Sequence, residues 1–156
     1  MFSHPLHPMI VHFPIALLFT SVLFDAAGLL FKRDSLREGA LWLLIMGLLG
    51  GVAGSISGDW AEEAAEKAGI AESLIETHET LAFVTLGIFA VLLLGRLLMR
   101  NRLTPNIALP YFVIAAIGLG ALSATGYLGG SLVFEHGAGV AATHMSTLPM
   151  TSKMPR

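Results

Sequence analysis

Six histidines, at His4, His7, His12, His78, His136 and His144, and one isolated carboxylate, Asp25, are the residues of this sequence whose chemistry stands out. Neutral imidazole is a ligand for haem iron, copper, zinc and nickel. It also serves ordinary ends, such as bonding a lipid headgroup or a helix terminus. Cysteine is absent, which removes thiolate metal sites, disulfides and covalently attached c-type haem. Metal or haem chemistry therefore falls to His, Met, Asp and Glu. The zinc-protease pattern HExxH is not met, because His78-Glu79 is followed by Ala82 where the second histidine belongs. No glycine-rich phosphate loop has the required spacing, and no Ser-His-Asp arrangement can be read.

These residues sit in a chain built for lipid. Of 156 residues, 54% are hydrophobic and 13% charged, with a mean hydropathy of +0.74. A soluble domain carries about 25% charged residues, so most of this surface does not face water. The net charge of -2 gives no reason to expect a nucleic-acid partner. Four apolar stretches reach the roughly 20 helical residues needed to cross a bilayer: Met9–Phe31, Gly39–Gly58, Leu81–Met99 and Ala108–Phe134. Backbone groups in lipid must bond internally and no period-2 alternation is present, so the stretches are predicted to be helices. The expected fold is all-α, a single domain over 1–144 forming a four-transmembrane-helix bundle, with a short amphipathic outer helix opened by Asp59 and closed near Gly69. Residues 145–156 read as a mobile tail. Pro105 suits the start of the fourth helix, and Pro14 is expected to bend the first beside His12.

Basic residues set the orientation. Lys32, Arg33, Arg37, Arg96, Arg100 and Arg102, six of the nine Lys and Arg, fall on one side of the four spans. That side is expected to be cytoplasmic, with both termini outside a bacterial inner membrane. The opposite loop, Asp59 to Glu79, holds seven acids against Lys67 alone. On this topology all six histidines gather at the outer side. His12 lies about one turn within the first span, His78 opens the third and His136 follows the fourth. Gly47, Gly51, Gly54 and Gly58 share one face of the second helix. Such a stripe either admits a neighbouring helix closely or offers a flat wall to a porphyrin. Asp25 is placed near the inner leaflet, where a carboxylate is a candidate for carrying protons or facing a quinone. The alternative is a packed carboxyl bonded to Ser21, Ser55, Ser57, Thr85 or a backbone carbonyl. It is 13 positions from His12, about 220° around the helix, so the two do not share a site.

The opening His4-Pro5-Leu6-His7-Pro8-Met9-Ile10-Val11-His12-Phe13-Pro14-Ile15-Ala16-Leu17-Leu18 resembles the start of a bacterial and archaeal membrane family numbered 2231 among the domains of unknown function. Thr77-His78-Glu79 and the closing Gly126-Tyr127-Leu128-Gly129-Gly130-Ser131-Leu132-Val133-Phe134-Glu135-His136-Gly137 are similar to the same family, so the likeness runs from about His7 to Val140. The resemblance implies a four-helix membrane domain, sometimes joined to redox domains, with histidines matching His7, His12, His78 and His136. His4 and His144 fall outside the pattern.

The expected site is one cofactor centre formed by His7, His12, His78 and His136 in the outer half of the bundle, with Glu79 or Glu135 accepting an imidazole N–H. The first expectation for function is a b-type cytochrome-like electron carrier. It would bind non-covalent haem and work between membrane quinol and an outside redox protein. A second is a copper, nickel or zinc binding or transport protein using the same histidines. A third is a non-catalytic membrane subunit whose histidines and glycines are structural.

Overall fold

The computed structural model describes residues 6–67, 69–99 and 105–138. Four helices follow one another: α1 (Leu6–Leu30), α2 (Asp34–Lys67), α3 (Glu72–Leu98) and α4 (Pro105–Phe134). Each is long and apolar enough to cross a membrane, and no strand occurs among the described residues. The protein is a multi-pass, all-α membrane protein.

The turn between α1 and α2 is short because Lys32 takes a left-handed conformation with φ 53°. Arg33 N–H then bonds back to the Gly28 carbonyl at 3.0 Å. Gly69, with φ +85°, turns the chain between α2 and α3, a conformation that glycine adopts without strain. Pro105 is the first residue of α4, where its missing N–H is not needed. Pro14 is buried inside an unbroken α1 and packs against Gly50 of α2.

Two helices differ from the sequence expectation. The separate amphipathic outer helix does not exist: Asp59 caps nothing, because α2 continues through Gly58 and Asp59 to Lys67. At 34 residues it is about 51 Å long, against about 30 Å of hydrocarbon. Its acidic last turns therefore project beyond the lipid. Helix α3 starts at Glu72 rather than Leu81, so His78 lies in its second turn. Hydropathy marks where lipid begins, whereas a helix stops only where backbone bonding stops. Ile70 and Ile75 are buried and give the projecting hairpin its own packing.

Helix α1 packs chiefly on α2, and α3 on α4; α2 also meets α3, while α1 and α4 touch far less. The stripe on α2 explains the tight α1–α2 contact. A Cβ on Gly47 would lie 2.7 Å from Leu18, and one on Gly54 would lie 3.4 Å from Val11. Gly51 instead faces Leu86 of α3, at 2.3 Å from such a Cβ. The bundle centre is apolar, formed by Leu18, Val22, Leu44, Phe89, Leu92, Ala115 and Leu122. This plug separates two polar regions, one at the end carrying His7 and His78, the other at the end carrying Asp25.

Candidate functional site: a histidine pair at one end of the bundle

His7, one residue into α1, turns towards α2. Its Nδ1 lies 3.0 Å from the Gly54 carbonyl and 3.0 Å from Ser57 Oγ, while Ser57 Oγ itself donates to Gly54 O at 2.8 Å. A carbonyl only accepts, so Nδ1 carries the proton and Nε2 keeps its lone pair. Gly58 makes room for the ring, since a Cβ there would lie 3.4 Å from His7 Cε1.

His78 comes from α3 and rests on α4. A Cβ at Gly129 would lie 3.0 Å from its Cε1, and the ring lies within reach of the Thr125 backbone carbonyl. Its Nδ1 is nonetheless buried without a well-formed hydrogen bond. One turn deeper, Thr85 and Thr125 hydroxyls join α3 to α4 at 3.1 Å. All four helices thus converge on two imidazoles. The ring centres of His7 and His78 are 6.3 Å apart and the planes stand at 87°. Two metal–imidazole bonds of about 2.0–2.1 Å put facing nitrogens about 4 Å apart, and ring centres roughly 6 Å apart once each ring's half-width is added.

The other expected members lie elsewhere. His12 is exposed, with Nδ1 donating to the Pro8 carbonyl of its own helix at 2.5 Å. His136 is exposed beyond α4, with Nδ1 3.2 Å from the Ser131 carbonyl. The single four-histidine centre is therefore not formed: residues on different faces of α1 cannot converge on one point. Among the described residues no hydrogen bond joins Glu79 or Glu135 to an imidazole; Glu135 accepts from Ser131 Oγ at 2.8 Å. No group of three or more His, Asp or Glu side chains is arranged to hold a metal ion among the described residues. His4 and His144 lie outside the described residues.

At the opposite end Asp25 has acquired partners that sequence reasoning did not give it. One carboxylate oxygen pairs with Arg96 Nη1 and the other accepts from Tyr111 Oη at 2.5 Å. Arg96 Nη2 donates to the Arg37 carbonyl at 2.8 Å, and the guanidinium carbon is 5.8 Å from the Tyr111 ring centre. Asp25 and Arg96 are each 1% exposed. Ser21, Ser55, Ser57 and Thr85, the partners expected for Asp25, bond backbone carbonyls of their own helices. Arg96 reads in the sequence as one more basic residue flanking a loop, yet it is buried in the bundle. The signal for it was the shared end: Asp25 lies five residues before the end of α1 and Arg96 two before the end of α3, and a carboxylate within one span calls for a cation near the same end of another.

The fold and the paired histidines define a class, a four-helix membrane protein with a polar, imidazole-bearing end. The family model described as predicted membrane protein (DUF2231) matches residues 3–142, and the chain belongs to that family. No curated protein and no solved structure matches the chain significantly.

Proposed function

We propose that the protein is a b-type cytochrome-like electron carrier of the membrane, binding one non-covalent haem between His7 and His78. The observation that carries this reading is the pair itself, two imidazoles from different helices with centres 6.3 Å apart. The donor set suits haem better than a bare ion. Zinc in a protein takes three or four side-chain ligands, whereas haem brings its own equatorial nitrogens and needs at most two axial side chains. His7 offers Nε2 with its tautomer fixed by Gly54, and the buried Nδ1 of His78 makes no well-formed hydrogen bond, although the Thr125 carbonyl lies within reach. Gly58 and Gly129 form the cradle that lets both rings lie close to the helices. Gly47, Gly51 and Gly54 are covered by Leu18, Leu86 and Val11, so they serve helix packing rather than a porphyrin wall.

Bound haem would supply reversible one-electron chemistry; the chain supplies ligation, orientation and a polar cap in an otherwise apolar bundle. The histidine end faces outward in this proposal, because the basic residues around Lys32, Arg33 and Arg37 belong at the cytoplasmic face. Membrane quinol and an outer redox protein are the proposed partners. The test is the visible spectrum of protein purified in detergent after growth with iron. One haem per chain, with a Soret band and an α-band that sharpens on reduction, supports the reading. A colourless protein with a stoichiometric transition metal would move the assignment to a bare-ion site at the same pair. A colourless, metal-free protein would leave a structural subunit.

A further inference from the structure

Ser57 of α2 is buried, with 5% of its surface exposed, and stands between the His7 imidazole and the backbone of its own helix. Its Oγ donates to the Gly54 carbonyl at 2.8 Å and lies 3.0 Å from His7 Nδ1. A serine hydroxyl has one proton and two lone pairs. With the proton given to Gly54 O, the oxygen can only accept from His7. Ser57 Oγ and Gly54 O, three residues apart on α2, thus share the same Nδ1–H, each at 3.0 Å.

The two acceptors are not equivalent. Gly54 O also takes the helical N–H four residues on, whereas the lone pairs of Ser57 are left for the imidazole. A ring held by one hydrogen bond can turn about that bond, and a second acceptor beside the first stops the turn. Gly58 backs the same ring, since a Cβ there would lie 3.4 Å from His7 Cε1. Groups that bond the non-ligating nitrogen of a histidine fix its tautomer and its ring orientation.

His78 is held differently. Its ring rests on Gly129, where a Cβ would lie 3.0 Å from its Cε1. Its Nδ1 makes no well-formed hydrogen bond, with the Thr125 carbonyl within reach. Packing on α4, rather than a hydroxyl, sets that ring. The result is a pair of planes crossed at 87°, one ring anchored to α2 and the other laid on α4. The angle has a chemical consequence. Crossed axial imidazoles leave the two π-symmetry d orbitals of low-spin ferric iron nearly degenerate, and coplanar ones split them. Near-degeneracy raises the largest g value in electron paramagnetic resonance, so the ring planes can be read from the loaded protein.

We infer that Ser57 is the positioning residue of the histidine pair. Its hydroxyl keeps the His7 proton on Nδ1, leaves Nε2 as the ligating nitrogen and holds the His7 plane across that of His78. As a statement about ligation this rests on the haem reading above; as a statement about the His7 tautomer and ring it does not.

The test uses the full chain in detergent, first without haem and then titrated with hemin. In the apoprotein, heteronuclear NMR of the ring nitrogens should show His7 protonated at Nδ1 and bare at Nε2, and Ser57→Ala should give a mixture of the two tautomers. With hemin, the wild type should give the crossed-plane signature. Ser57→Ala should weaken hemin binding at least tenfold, as loss of such a partner does, and lower the largest g value. Ser57→Thr, whose hydroxyl can bond the same carbonyl within a helix, should restore both. Ser55→Ala, which removes a hydroxyl bonded to the Gly51 carbonyl of its own helix, should change neither. A protein that takes up no hemin would refute the haem reading and leave the NMR result to decide the role of Ser57. His7 protonated at Nε2, a coplanar signature in the wild type, or a Ser57→Ala variant that only melts lower with tautomer and g value unchanged would each overturn the inference.

Discussion

Asp25 of α1 and Arg96 of α3 form an ion pair inside the bundle, each 1% exposed. Tyr111 of α4 bonds the same carboxylate, and the Arg37 carbonyl of α2 bonds the same guanidinium. All four helices are thus tied at one depth by charge-assisted hydrogen bonds. Gly28 completes the fit, since a Cβ there would lie 2.5 Å from Arg37 Cγ. With every oxygen of Asp25 committed, the cluster reads as a clamp.

Removing one partner should expose the energetics. Arg96→Met leaves a buried carboxylate without its cation and should destabilise the protein by about 3–5 kcal/mol. The double variant Asp25→Asn/Arg96→Met should recover much of that loss. Thermal unfolding in detergent, followed by circular dichroism, measures both. A silent Arg96→Met would show that the clamp does not hold the bundle. Loss of turnover in Asp25→Asn at unchanged stability would instead restore a proton-carrying role for Asp25.

The histidine pair makes a selective prediction. His7→Ala and His78→Ala should each abolish the haem spectrum, while His12→Ala and His136→Ala should retain it. The comparison is made on purified protein by reduced-minus-oxidised difference spectra. Retention of haem in both His7→Ala and His78→Ala would remove the pair from consideration as axial ligands.

The glycine contacts predict an order of stability. Gly47→Val places new atoms against both the side chain and backbone of Leu18, and overpacking of this kind costs about 1–3 kcal/mol. Gly87→Ala, with nothing within 4 Å, should be neutral or stabilising by up to about 1 kcal/mol, because glycine weakens a helix interior. Melting temperatures of the two variants in one detergent decide the matter. Equal effects would mean that the α1–α2 contact is looser than the structure has it.

The orientation can be tested without background, because the chain contains no cysteine. Single Arg33→Cys and Lys67→Cys variants, treated in intact cells with a membrane-impermeant maleimide, should differ: Cys at 67 reacts and Cys at 33 does not. Reaction at both positions, or the reverse pattern, would refute the proposed orientation.

The sequence by itself determined the membrane class, the number of membrane-spanning helices and that His7, His12, His78 and His136 belong to one end of the bundle. These follow from local quantities, namely the length of apolar runs, the scarcity of charge and the punctuation by Lys32, Gly69 and Pro105. It did not determine where α2 and α3 extend beyond the lipid, because helix continuation depends on backbone bonding that hydropathy does not register. Nor did it separate His7 from His12, five residues apart on one helix. Only the packing of α1 on α2 through Gly54 and Gly58 decides that His7 turns inward to meet His78 while His12 stays exposed. Arg96 shows the same limit: a basic residue near the end of a span can reach water or turn back into the bundle. The presence of Asp25 and Tyr111 at its depth on two other helices, a relation between distant parts of the chain, selects the second.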